Sequence, residues 1–267
     1  MRDAVFRRLT GVKKATFLEM QSVLEAAEER KKAHGGRPPT LPVRERLLMT
    51  LEYWREYRTY LHIAQGRGVS ESSAWQSIRW CEDTLIKSGQ FTLPGKKSLR
   101  ESGRNYEVVL VDATETPVER PKKKQRRCYS GKKRRHTLKT QVFVEQSSGR
   151  IICLAHGNGR RHDFRLFKTS KVRVHPETEI LADSGYLGLH KTHKNTSLPK
   201  KRSRKVPLTR ADRKQNRAQS KRRVRIENVN AALKRFHILA DKYRNRRKRF
   251  GLRFSLIAAL YNKDLPK

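Results

Sequence analysis

Three acidic residues, Asp112, Asp183 and Glu227, occur in settings that could bring carboxylates to a cleft. Asp112 closes the run Val108-Val-Leu-Val-Asp112, whose four apolar residues predict a strand buried on both faces. Thr114 and Thr116 follow, and Pro117 is expected to end regular pairing. Asp183 repeats the pattern: Pro176 opens a short apolar strand to Ala182, Asp183 ends it, and Gly185 lets the backbone turn. One Asp after a strand is ordinary turn chemistry; its recurrence marks these two. Glu227 lies at the edge of an apolar stripe of Ile226, Val229, Leu233, Phe236 and Ala240, whose steps of three and four predict an amphipathic helix. Arg223 and Lys234 fall on the same side as Glu227 at helical steps. Two strand-end aspartates and a helix-borne glutamate can share two divalent metals. Such ions, about 3.5–4 Å apart, clamp the attacking and leaving oxygens of a phosphodiester.

The local sequences around these acids carry a resemblance. Val-Asp-Ala-Thr-Glu surrounds Asp112, and Ala-Asp-Ser-Gly-Tyr surrounds Asp183. A third motif runs Tyr, two residues, Arg, three residues, Glu, six residues, Lys; its Arg, Glu and Lys fall on Arg223, Glu227 and Lys234. Its Tyr position holds Ser220, a departure that takes away the hydroxyl role of that tyrosine. The ordered set, across residues 35–262, resembles the DDE transposases of bacterial insertion sequences, most closely the IS-five family. The resemblance implies an α/β fold: an RNase H-like catalytic domain, with a mixed sheet flanked by helices, preceded by an all-α helix-turn-helix domain. It implies cleavage of DNA at the element's ends and strand transfer into target DNA. Asp112, Asp183 and Glu227 would be catalytic and would hold two Mg²⁺ ions, with Mn²⁺ as a substitute. Arg223 and Lys234 would bind phosphate or orient Glu227. The family has a His-Asp pair where this chain has His162-Asp163, which gives Asp163 an accessory role; read locally, Asp163 is a helix N-cap.

The elements that must position these residues divide near residue 90. Residues 1–90 predict a helical DNA-binding domain. A helix is expected over Thr16–Ala33, with Phe17, Met20, Val23, Leu24 and Ala27 on one face, then a Gly- and Pro-rich linker over 34–40. Helices follow at 42–56, 59–65 and 71–87, the last capped by Ser70. Ala64 and Gly68 stand at the spacing of a helix-turn-helix, which makes 71–87 the recognition helix. Trp75 and Ile78 are expected in the core, and Ser72, Ser73, Gln76 and Arg79 toward DNA.

Residues 91–267 predict the catalytic domain. After a linker over 88–105, and beyond the first strand, a loop carries nine Lys or Arg between Lys122 and Arg135. A run of this kind is ordinarily a solvated arm, but beside Asp112 it could hold phosphates. Tyr129 within it could stack on an unpaired base or pack locally. Strands are expected at 138–145 and 151–155, forming with the first an antiparallel set, with 178–182 beside the first strand. Residues 185–222 read as a basic insertion with His190 and His193, solvated or facing phosphate, and the run Lys200–Lys205. An apolar segment, 252–261, predicts a last helix.

Composition agrees with this partner. Lys and Arg number 64 against 25 Asp and Glu, a net charge of +39 that opposes compaction unless a polyanion offsets it. Residues 1–90 carry only +5, so +34 lies beyond them. The partner expected is double-stranded DNA, as element ends and target, bound by a homo-oligomer in the cytoplasm of a bacterium, at the nucleoid. A membrane is not expected, since no 18-residue apolar run exists. Cys81, Cys128 and Cys153 lack paired spacing, against zinc or a disulfide framework. A basic structural protein would leave the two strand-end aspartates unexplained. A DNA-binding regulator would leave the basic second domain without purpose. A domesticated DDE nuclease, cutting without transfer, is the nearest alternative.

Overall fold

The computed structural model describes residues 2–101, 106–123, 125–202 and 207–266. Gly103 of the expected linker, Lys124 of the basic loop and the end of the run Lys200–Lys205 lie outside the described residues. The chain forms two compact units: Met1–Thr92 with Ala232–Lys267, and Leu93–Ala231. The first ends close to the expected boundary at 90, but it also takes in the C-terminal residues from 232 onward.

The helical unit begins with α1 (Asp3–Thr10), which the sequence reading lacked, and α2 (Lys14–Lys32). Then come α3 (Val43–Arg55), α4 (Tyr60–Gln65) and α5 (Glu71–Lys87). Phe17, Met20, Leu24, Leu47, Leu51, Trp54, Ile63 and Ile78 form its buried interior. Each of the two last helices has a hydroxyl cap: Thr59 accepts the His62 N–H at 3.2 Å, and Ser70 accepts the Ser73 N–H at 3.2 Å. The turn between them passes through Gly68 at φ +62°, a left-handed conformation that favours glycine. Trp75 departs from expectation: it is 42% exposed. Ala74 and Ile78 take the inward positions of α5, and the indole lies outside them under the Arg79 guanidinium, 5.2 Å from the ring centroid.

The second unit is built on a sheet. Its elements are β1 (Val108–Pro117), β2 (Tyr129–Ser130), β3 (Arg135–Glu145), β4 (Ile151–Asn158), α6 (Asp163–Ser170), β5 (Glu179–Ala182), β6 (Thr196–Ser197) and α7 (Arg210–Lys234). Strand order is β2-β3-β1-β5-β6, with β4 also paired to β3. β1, β3 and β4 are antiparallel, while β5 runs parallel to β1, so the sheet is mixed as expected. On one face Val109, Val111, Phe143, Ile152, Phe167, Ile180 and Tyr186 bury one another. One expectation needs correction. β1 does not stop at Asp112 but pairs with β3 as far as Pro117, which lies opposite Thr137. The alternation Thr114, Glu115, Thr116 suits a pleated strand, and Pro117 closes it.

The predicted amphipathic helix is also cut short. α7 ends at Lys234, Phe236 turns into extended backbone, and α8 (His237–Ala240) and α9 (Phe250–Asp264) follow in the helical unit. Phe236 leaves the helix because its ring packs where Gly11 has no side chain; a Cβ there would lie 2.6 Å from the ring. α9 is tied to α5 through Glu82, a fully buried acid. Its carboxylate accepts from Arg249 and Arg253, each at 2.6 Å, and from the Trp54 indole at 3.0 Å. No helix among the described residues is long and apolar enough to cross a membrane.

Candidate active site

Register places the first two acids together. The parallel ladder between β1 and β5 ends at the pair Val111 and Ala182. Asp112 and Asp183 are therefore the next residues on two adjacent strands, whose backbones run about 4.8 Å apart. The Asp112 side chain is 23% exposed. Burial pushes its pKa up to about 6; Arg223 and the Ala113 N–H pull the other way, and the charges of Asp183 and Asp163 add to the rise. Asp183 begins a 3-10 turn, and its Oδ1 accepts the Gly185 N–H at 2.8 Å.

Asp163 joins them from α6. It does not cap that helix: the cap residue is His162, and the Asp163 carboxylate instead accepts from Lys139 at 2.7 Å. Gly185 sits between two acids. A Cβ at this position would lie 2.9 Å from Asp183 Oδ1 and 3.0 Å from Asp163 Oδ2, so only glycine leaves room between them. Tyr186 underlies the group. Its pKa is raised well above the ordinary value, by burial first and then by the charges of Asp163, Asp112 and Asp183. Gln141 donates to its hydroxyl at 2.7 Å.

The counter-charge comes from Lys139 on β3, which is 7% exposed. Its ammonium also reaches the Arg161 carbonyl at 2.8 Å and Glu115 at 3.6 Å, and Glu115 accepts from Thr137 at 2.8 Å. Sequence reasoning missed Lys139, Glu115 and Gln141. Polar side chains inside a strand whose neighbours are all buried were the available signal.

α7 supplies the other side. Asn230 donates to Asp112 Oδ2 at 2.8 Å, and the Arg223 guanidinium lies 3.8 Å from Asp112 Oδ1. Glu227 stands four residues after Arg223 and three before Asn230, hence on the helix face that meets Asp112. Its side chain is exposed. No group of three or more His, Cys, Asp or Glu among the described residues is drawn together closely enough to hold a metal. Glu227 thus lies on the face that meets Asp112, and Asp112, Asp183 and Glu227 are not drawn together as a trio. Ser220 is exposed on the same helix, and Lys234 is exposed beyond the point where the chain re-enters the helical unit.

The donor chemistry can still be tested against a divalent cation. Beside Asp112, the buried oxygens Thr114 Oγ1 and Asn230 Oδ1 have no hydrogen-bond partner. Carboxylates beside spare amide and hydroxyl oxygens are a hard-oxygen donor set, the kind that suits Mg²⁺ and Mn²⁺.

The remaining candidates separate. On α5, Ser72, Gln76 and Arg79 are exposed, while Ser73 is half-buried with its hydroxyl 2.9 Å from that of Ser70. His193 is neither solvated nor phosphate-facing, since its Nε2 pairs with the Thr178 carbonyl at 2.7 Å in the interior; His190 is exposed. The basic loop includes a 3-10 turn at Gln125–Arg127 and the strand β2.

Residues 103–262 match the family described as Transposase DDE domain, and residues 39–91 match Helix-turn-helix of DDE superfamily endonuclease. A protein of Microchaete diplosiphon, named as a probable transposase for insertion sequence element IS702, is 46% identical over 97% of this chain and 94% of its own. A protein of Streptomyces albus G, provisionally named as a transposase for insertion sequence element IS112, is 26% identical over 87% of this chain and 84% of its own. No solved structure matches.

Proposed function

This chain belongs to the family of DDE transposases, and on that premise we propose how its residues divide the work of cutting insertion-sequence DNA and joining it to a target. The reading rests on one observation, the register that sets Asp112 beside Asp183 where the parallel ladder ends. DDE enzymes use divalent metal ions; here the ions are taken as two Mg²⁺, with Mn²⁺ as a substitute. Asp112 and Asp183 would hold them, Glu227 on α7 would be the third ligand, and Asp163 would be an accessory carboxylate. The chemistry such ions supply when bound is activation of water and stabilisation of the leaving oxygen at a phosphodiester.

The chain's own groups do the positioning. Asn230 fixes the orientation of Asp112 through its 2.8 Å hydrogen bond. Arg223, with a buried Nε that lacks a partner, has donor capacity left for a phosphate oxygen. Lys234 is assigned to the DNA backbone. Lys139 holds the Asp163 carboxylate at 2.7 Å, where its other oxygen faces Gly185. In the helical unit, Ser72, Gln76 and Arg79 face outward from the second helix of a helix-turn-helix and are assigned to base edges in the major groove. Ser73 is assigned to the cap and to phosphate contact. The protein acts on double-stranded DNA as a homo-oligomer at the bacterial nucleoid, and its three motifs resemble those of the IS-five family.

The test is incubation of labelled element ends with protein, Mg²⁺ or Mn²⁺ and a plasmid target. Wild-type protein should yield cut and joined products. Asp183→Asn and Glu227→Gln should yield neither while still binding the ends without metal. Near wild-type cutting by Asp183→Asn would overturn the assignment, and cutting without joining would make the protein a nuclease.

A further inference from the structure

The sheet unit has a second concave site that the carboxylate cluster does not use. It is a cavity of about 660 Å³ whose lining includes Arg120, Arg126, Tyr129, His136 and Arg160. Its size lies within the roughly 300–1,000 Å³ typical of small-ligand pockets.

The pocket is built rather than a fold of loose loop. Tyr129 lies on β2, paired with His136 of β3, and the two rings meet edge to face at 5.6 Å. Its neighbours Cys128 and Ser130 are buried, so strand alternation holds the Tyr129 ring outward, 43% exposed. The Cys128 carbonyl accepts the Thr137 N–H at 2.8 Å, and the Thr137 carbonyl accepts the Gly159 N–H at 3.0 Å. Gly159 fits against this wall only because it lacks a side chain; a Cβ would stand 2.0 Å from Thr137 Oγ1. That contact fixes Arg160 at the rim. Across from it, Gln125 accepts from the Arg120 Nε at 2.8 Å and steadies that guanidinium.

An outward aromatic face in a hollow ringed by guanidinium groups has one fitting ligand class. The ring stacks a base, and the guanidiniums grip the phosphates on either side. A base within a duplex keeps both faces covered, so the ring can stack only a base that has left the helix. We propose that this pocket receives one unpaired nucleotide of the DNA being cut, with its base on Tyr129 and its phosphates on Arg126 and Arg160. The proposal rests on the transposase reading above. His136 lies six residues along β3 from Val142, the partner of Asp112, a separation of about 20 Å. That length is about six base-pair steps of DNA, which sets the reach between the pocket and the cut.

The experiment uses the full chain without metal. Short DNA strands carry 2-aminopurine, whose fluorescence falls on stacking, and are compared with the same sequence as duplex. Wild-type protein should quench the probe and bind the single strand. Tyr129→Ala should lose the quench and weaken single-strand binding roughly fivefold to a hundredfold, as expected for one lost stacking contact, with duplex affinity within about twofold by the same measure. Tyr129→Trp should keep both. Arg126→Gln should lower the salt slope of binding by about one. In a duplex with the probe placed at successive positions from the cut, quenching should peak at a single position. Equal losses by Tyr129→Ala on single strand and duplex, or an unchanged quench, would overturn the pocket while leaving the transposase reading intact. Failure of the wild-type protein to bind duplex DNA would overturn both.

Discussion

Asp112→Asn should make the protein more stable at neutral pH while abolishing its cleavage. The carboxylate is largely buried, and its pKa stands near 6 against an ordinary 3.8. The folded chain therefore holds this proton more tightly than the unfolded chain does. Stability falls as pH rises from about 4 to about 6 and is level above that, because in this window the unfolded state binds fewer protons. Two pKa units correspond to about 3 kcal/mol. The substitution also gives up the Arg223 contact at 3.8 Å, a loose pair whose loss offsets up to about 1 kcal/mol. The net gain expected at pH 7.5 is about 2 kcal/mol, or roughly 4–8 °C in Tm for a chain of this size. It should shrink toward zero below about pH 3, where the wild-type carboxyl is neutral in both states. Thermal unfolding followed by circular dichroism in chelator, across this pH range, reads it directly. Divalent metal should then reverse the order, since ligand at a hundredfold its Kd adds about 2.7 kcal/mol to the wild type alone. A variant less stable than wild type at pH 7.5 would refute the reasoning, and so would a difference that ignores pH. Asp112 would then be a structural partner of Arg223 and Asn230.

Three further outcomes are expected. Lys139→Met strands Asp163 and Glu115, which share its ammonium at 2.7 and 3.6 Å, and should cost about 3 kcal/mol in urea unfolding. Asp163→Asn added to it should recover part of that loss, and strict additivity of the two would show that the pair does not interact. Glu82→Gln removes the charge that Arg249 and Arg253 both hold at 2.6 Å and should cost about 3–5 kcal/mol, with a calorimetric change under about 1 kcal/mol speaking against it. Nonspecific DNA affinity should drop by several orders of magnitude between about 50 and 200 mM salt, measured by anisotropy, and a flat response would deny the basic surface its role.

Much of the fold was legible because apolar runs announce themselves. Val109–Val111, Ile180–Ala182 and the stripe Ile226, Val229, Leu233 are all buried as their patterns predicted, and Val108 is half-buried at the start of its run. What the pattern hid was polar or distant. β1 runs on through Thr114, Glu115 and Thr116 with these polar side chains covered on both faces of the sheet, so no hydrophobic alternation marks them. Asp163 looks like a cap in its local sequence, and only Lys139, 24 residues earlier, shows it to be part of a charged cluster. Asn230 follows Glu227 at one helical step but carries no motif of its own. The break at Phe236 depends on Gly11, at the other end of the chain, and the pairing of Glu82 with α9 is equally non-local. Periodicity reports what a residue buries, not which distant partner it meets.

That last pairing has a consequence for synthesis. Glu82 leaves the ribosome 167 residues before Arg249, which at roughly 5–20 residues per second is a delay of about 8–33 s. Through that interval the helical unit holds a carboxylate with neither arginine to neutralise it, and the helix that carries it lacks α9. A chain terminated early would present the helix-turn-helix in an uncompleted fold, with its buried acid favouring the open state. Unfinished products would therefore compete poorly for DNA, and the ability to recognise a site would arrive only once the last helix has been made.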